Sequence, residues 1–213
     1  MKKFLSLLVA GLCIFLCFSL ATYIQSQDAD YYAAQMRKNR IDRVTGLSFT
    51  RLDEISDGLR AYLRTGEEKQ IAPYFSAEEV AHMKDVYGLF QWMARLSAAG
   101  VCIVVWGTYR LKKRYGIRGS MRAVGRAAWI WIAVFALLAA AIAVNFHRAW
   151  FLFHRLVFSN ELWLMDPQTD LMIQMLPENF FSGMVLRIGA VMIVAMALLS
   201  AMGFVKGTDN GIE

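Results

Sequence analysis

Four apolar runs, nearly free of charge, punctuate the chain at 4–24, 89–109, 127–146 and 184–205. Each holds about 20 residues, and at roughly 1.5 Å of rise per residue that length covers the roughly 30 Å hydrocarbon layer of a bilayer. The runs therefore predict four transmembrane helices. Between the first two, apolar residues recur among polar ones (Ile41, Val44, Leu47, Phe49, Leu52, Ile55, Leu59, Tyr62, Leu63), a spacing that favours helix in the second half of 25–88. Ser76 followed by Glu79 is a capping-box pattern. It predicts a helix that starts near Ala77 and runs through His82 into the second span. No Pro or Gly interrupts 127–163, so the third span is expected to continue outward as one helix carrying His147 and then His154. Asp166 before Pro167 reads as an N-cap and first turn opening a short helix over 168–176, which Pro177 ends.

Composition agrees with the pattern. With 57% hydrophobic residues and only three Pro, and a mean hydropathy of +0.39, the chain is too apolar for a soluble domain. The expected class is an all-α integral membrane protein with a small extracytoplasmic cap formed by 25–88 and 147–183. The first run follows Lys2 and Lys3 as a signal peptide would. Its apolar core is longer than the roughly 7 to 15 residues of a cleaved signal, and no A-x-A-like site follows. Leu12 and Leu16 precede Cys13 and Cys17 where a lipoprotein signal would want a small residue. The run is expected to be a retained anchor.

Charge sets the expected orientation. The segment 110–126 (RLKKRYGIRGSMRAVGR) carries seven basic and no acidic residues, against a net charge of +6 for the whole chain. By the positive-inside rule it is a cytoplasmic loop, which puts both termini, with Lys2, Lys3 and Lys206, on the same side. In 25–88, nine basic residues face eleven acidic ones, so the positive excess is internal. Topology and attraction to anionic headgroups account for the basic segment without a nucleic-acid partner.

Candidate chemistry is sparse. Cys13, Cys17 and Cys102 all fall in the apolar runs, where thiols are inert and cannot link the outer segments. No internal repeat, Gly-rich phosphate loop, CxxC pair or G-x-S-x-G elbow is present, which disfavours nucleotide binding, redox chemistry and serine hydrolysis. All three histidines, His82, His147 and His154, fall beside the spans on the side away from the basic segment. Imidazole is the side chain best suited to moving protons near neutral pH. His147 and His154 are seven residues apart, about 10.5 Å along a helix, too far to share one metal ion. No metal is expected, although His82, a second histidine and a carboxylate would make an outer-face zinc hydrolase the rival enzyme. Arg95 and Arg187 lie inside the outer thirds of spans, where snorkelling to the interface competes with pairing inside the bundle.

The stretch FHRLVFSNELWLMDPQTDLMIQMLPENFF (153–181), with AHMKDV (81–86) and the four-span plan, resembles the lipoprotein intramolecular transacylase family of bacterial integral membrane proteins. Members are known from low-GC Gram-positive bacteria. The resemblance implies an enzyme of the cell membrane that acts on lipoproteins bearing a diacylglyceryl cysteine. It moves an acyl chain from the glycerol sn-2 oxygen to the cysteine α-amine and leaves a lyso-form lipoprotein. It places the H-x-x-D histidine on His82, the aspartate on Asp85 and the F-H-x-x-x-F histidine on His154, and nothing on His147. The implied partners are diacylglyceryl lipoproteins and membrane lipids.

The residues are chemically compatible with that implication. Ester-to-amide transfer needs a base for the amine, a donor for the leaving oxygen and support for the tetrahedral oxyanion, and it needs no cofactor. His154 is the expected base, and His82 the expected donor or oxyanion support. Asp85 would orient an imidazole or receive the ammonium. Asn160, Trp163, Asp166 and Arg95 are candidate supporting residues, with capping, packing and snorkelling as their plain alternatives. A non-catalytic membrane protein, its cap binding a partner or sensing pH through the histidines, is the reading from another class.

Overall fold

The computed structural model describes residues 2–205, and Lys206 lies outside them. Among the described residues every regular element is a helix: α1 (Lys2–Ser26), α2 (Ala29–Lys38), α3 (Ile41–Thr45), α4 (Phe49–Thr65), α5 (Ala77–Val144), α6 (Phe146–Val157), α7 (Leu171–Met175) and α8 (Glu178–Ala201). Three of them are long and apolar enough to cross a membrane: α1, α5 and α8 with its 3-10 extension to Phe204. The second and third expected spans thus both fall on α5. The basic segment 110–126, expected as a loop, is helical except at Gly116, where φ is 67° and ψ 174°. Only glycine takes that backbone conformation without strain.

The described residues form two compact units, one of 2–21, 94–144 and 189–205, the other of 22–93 and 145–188. In the first, the same stretch of α1 meets α5 on both sides of Gly116. Val9 and Leu5 lie against Gly107, and the Trp131 indole lies against Gly11 and donates to the Leu7 carbonyl at 3.0 Å. Along an unbroken helix Gly107 and Trp131 would be about 36 Å apart. The chain therefore doubles back at Gly116, bringing Leu111, Val124 and Ala127 into one buried cluster with Val9 and Ala10. Gly107 and Gly11 make room for the Val9 and Trp131 side chains, and Gly125 lets two backbones approach, as small residues do in membrane bundles. A Cβ on Gly125 would strike the Gly203 backbone. The Lys2 ammonium sits 4.3 Å over the Tyr115 ring, so the start of the chain lies beside the doubling-back point.

The second unit has a conventional apolar core. Leu52, Ile55, Leu59, Tyr62 and Leu63 form the buried stripe of α4, packed with Tyr32, Met36, Ile41, Ile71, Met175 and Phe180. Of the other apolar positions read from the sequence, Ile41 is buried from α3, Leu47 and Phe49 pack partly buried against the same core, and Val44 is exposed. Its helices are capped by side chains: Asp28 accepts from Tyr31 N, Ser48 from Arg51 N, and Ser76 and Glu79 form the expected reciprocal box at the start of α5. Glu79 is 3% exposed, and its second oxygen accepts the Met172 N–H at 2.7 Å, tying α5 to α7 across 93 residues of sequence.

Two local expectations are corrected. The helix expected through 127–163 breaks at Asn145, whose φ of −157° and ψ of 92° are extended. Its side chain accepts from Arg148 N and starts α6 afresh. Asp166 does open a turn, accepting from Gln168 N, but the helix that follows is only Leu171–Met175, with Asp170 at its N-cap position making no side-chain capping bond.

Candidate active site

His82 sits on the second turn of α5, placed there by the Ser76–Glu79 box that fixes where the helix begins. His154 sits in the last turn of α6, whose start Asn145 sets. Both belong to the second unit. Their rings lie 6.3 Å apart, centroid to centroid, with planes inclined by 28°. Both are buried, at 8% and 7% exposure.

Aromatic rings surround the pair. His154 has Trp150 at 4.5 Å, Trp163 at 5.0 Å, Phe153 at 5.2 Å and Phe158 at 5.5 Å. Phe158 also meets His82 edge-on at 5.1 Å. Trp150, Phe153, Phe158 and Trp163 form a box around one imidazole. The motif F-H-x-x-x-F already contained its Phe153 and Phe158 walls. Burial in this box pushes both imidazoles below the ordinary histidine pKa. His82 falls to about 4, chiefly from burial, with His154 adding to the effect and Asp85 opposing it. For His154, burial outweighs the opposing hydrogen bond to Trp150. Both rings are therefore neutral at pH 7.

Tautomers follow from partners. The Nδ1 of His154 lies 2.8 Å from the Trp150 carbonyl, an acceptor, so in the neutral ring this nitrogen carries the proton and Nε2 keeps its lone pair. The Nδ1 of His82 is buried with no hydrogen-bond partner, an arrangement that costs stability.

Asp85, one turn beyond His82, accepts from the Asn160 amide at 2.8 Å. The Asn160 side-chain oxygen accepts from Leu162 N, and its backbone carbonyl accepts from the Trp163 indole at 2.9 Å. Asp85, Asn160 and Trp163 thus join the imidazole pair. Asp166 does not: its side chain takes Gln168 N, and its own N–H goes to Asp170. Arg95 belongs to the first unit. His147 is 75% exposed at its side chain and pairs with Glu178 at 2.6 Å. Among the described residues no three His, Cys, Asp or Glu side chains cluster as metal ligands would.

Two grooves open beside the box. One of about 380 Å³ runs past Phe151, Arg155, Phe158 and Trp163, and one of about 280 Å³ lies by Glu78, Glu79, Asn160 and Asp170. Neither is lined by an imidazole; Phe158 and Trp163 stand between His154 and the larger groove.

The chain matches known proteins over most of its length. No curated protein sequence matches it. Among solved structures it is similar to the membrane integral lipoprotein intramolecular transacylase Lit from Bacillus cereus, determined in meso, with a TM-score of 0.79 at 25% identity over 95% of this chain and 94% of that one. A variant of that enzyme with one histidine replaced by alanine matches with a TM-score of 0.76 at 25% identity, over 95% and 92% of the two chains. The family model for lipoprotein intramolecular transacylase Lit matches residues 7–181, which takes in both histidine motifs. This chain belongs to the Lit family of lipoprotein intramolecular transacylases.

Proposed function

We propose that this protein moves an acyl chain from the sn-2 glycerol oxygen of a diacylglyceryl-cysteine lipoprotein to the cysteine α-amine, at the outer face of a bacterial cell membrane. The single observation carrying this reading is the pair of buried, neutral imidazoles 6.3 Å apart. With the rings that close, one ester and one amine lying along their shared edge would be within reach of both.

In the proposed step the amine nitrogen attacks the ester carbonyl, forming the C–N bond. Nε2 of His154 takes the ammonium proton from the tetrahedral intermediate. The C–O bond then breaks, and the same proton passes to the departing glycerol oxygen, so one proton moves from nitrogen to oxygen overall. His82, whose pKa of about 4 keeps it uncharged, serves as a neutral N–H donor to the oxyanion rather than as a cationic acid. Because ester and amine belong to one molecule, positioning alone accounts for roughly 7 to 11 kcal/mol of the barrier. The protein is then mainly a clamp with one proton carrier, and no cofactor enters the step.

The orientation belongs to the same reading. Four spans at 4–24, 89–109, 127–146 and 184–205 follow if α5 crosses twice, once on each side of Gly116. The seven positive charges of 110–126, with Lys2 beside Tyr115, then mark the cytoplasmic end. The segments 25–88 and 147–183, which carry the histidines, face outward with their substrates and the surrounding lipid.

The test is expression in a strain that lacks lyso-form lipoproteins, followed by mass spectrometry of lipopeptide N-termini. N-acyl, monoacylglyceryl cysteine is expected with the wild-type chain and lost in His154→Ala and His82→Ala at unchanged membrane levels. Its absence with wild type overturns the assignment, and its survival in both variants moves the chemistry elsewhere.

A further inference from the structure

We propose that Asn160 is a positioning residue: its hydrogen bond to Asp85 clasps the 158–164 segment across the imidazole pair and so holds Trp163 and Phe158 in place around His154. All three polar groups of this residue that bear on the clasp are engaged. Nδ2 donates to Asp85 at 2.8 Å, Oδ1 accepts from Leu162 N at 3.1 Å, and the backbone carbonyl accepts from the Trp163 indole at 2.9 Å.

The segment has little else to shape it. Between Val157 and Leu171 there is no regular helix, and Asn160, Glu161 and Leu164 are exposed. Its ordering therefore depends on a few specific hydrogen bonds rather than on burial. The Asp85 bond is the longest-range of these, joining residues 75 apart in sequence. It connects the helix that carries His82 to the turn that presents Trp163 to His154. Asn160 touches neither ring itself; it acts through Asp85 on one side and Trp163 on the other. A carboxylate acceptor makes the bond stronger than an ordinary amide contact. Loosening it frees the aromatic wall and lets the gap between the imidazoles vary, and a misplacement of about 1 Å is costly to a positioned reaction.

This assignment rests on His154 carrying the proton and His82 supporting the oxyanion, and the test separates the two. Purified full-length protein in detergent micelles is given a synthetic diacylglyceryl lipopeptide, and kcat, KM and amide hydrogen exchange over 158–164 are measured together. In Asn160→Ala, kcat falls by about 10- to 100-fold with little change in KM, while exchange over 158–164 rises. Asn160→Asp sets a carboxylate against Asp85 and behaves the same way. Asp85→Asn still offers an acceptor oxygen and keeps the exchange protection of 158–164, whatever its rate. Combining Asp85→Asn with Asn160→Asp reverses donor and acceptor and recovers the protection lost in Asn160→Asp. Unchanged kcat in Asn160→Ala, exchange over 158–164 as fast in Asp85→Asn as in Asn160→Ala, or no recovery of protection in the combined variant overturns the clasp. Full activity in His154→Ala and His82→Ala instead overturns the proton-carrier reading, whatever the exchange measurement shows.

Discussion

Acidification is expected to destabilise this protein through His82, by an amount that its burial sets. The folded ring holds its pKa near 4 because burial penalises the imidazolium, with His154 adding to the effect and Asp85 opposing it. In the unfolded chain the same ring titrates near its ordinary value of about 6.5. The unfolded state therefore binds a proton as pH falls below about 6.5, and the folded state does not until about 4. The stabilisation is complete above 6.5 and is lost progressively between those two values. At about 1.4 kcal/mol per pH unit, the fall from 6.5 to about 4 is worth roughly 3 kcal/mol. For a chain of this size each kcal/mol moves Tm by roughly 2 to 4 °C, so His82 accounts for a loss of roughly 6 to 12 °C between pH 7 and pH 4. His82→Phe isolates the effect. It keeps a ring in the site, cannot titrate, and deletes a buried Nδ1 that has no partner. Tm of wild type and variant is measured at half-unit pH steps in the same micelle. The variant is expected to melt at least as high as wild type at pH 7, since an unpaired buried polar atom costs about 1 to 3 kcal/mol. Its curve should stay flatter down to pH 4. Parallel curves over that interval would refute the argument, because the ring would then titrate alike in folded and unfolded chains.

Other substitutions test separate features. Trp163→Ala removes one wall of the box; the His154 pKa should rise toward its ordinary value as water enters, and the acid limb of the kcat profile should move up with it. An unshifted limb would mean that Trp163 does not control the solvation of that ring. Glu79→Ala deletes half of a capping box and the acceptor for Met172 N, and should cost about 2 to 4 kcal/mol in thermal melts of the purified protein; a cost below about 1 kcal/mol would show that the link between α5 and α7 carries little. Gly125→Leu drives a side chain into the Gly203 backbone and should sharply lower the yield of monodisperse protein by size-exclusion chromatography, whereas exposed Leu198→Ala should not.

Much of the fold could be read from single residues because the signals were local. The Ser76–Glu79 box appears where the spacing required it, and the α4 stripe is the apolar pattern of 52–63 folded onto a core. The site was legible in pieces: H-x-x-D and F-H-x-x-x-F each supply one ring. Their meeting is a tertiary fact that no spacing encodes. Asn145 was hidden by the apolar run before it, although an N-cap residue three places ahead of Arg148 was a usable signal. Gly116 was read as part of a loop because seven positive charges dominated its neighbourhood. Those charges are compatible with helix, and a single glycine suffices to turn the chain back. The bond from Glu79 to Met172 spans 93 residues and left no mark in either segment.

The aromatic box has a consequence for which acceptor receives the acyl group. A nitrogen basic enough to relieve an amine of its proton is equally able to activate a water molecule, and an ester met by activated water ends as free fatty acid. Four rings packed round His154 give it apolar neighbours on several sides, which disfavours a bound water there, so the activated carbonyl meets the amine tethered beside it rather than the solvent. On this view Trp150, Phe153, Phe158 and Trp163 keep a transferase from lapsing into a lipase.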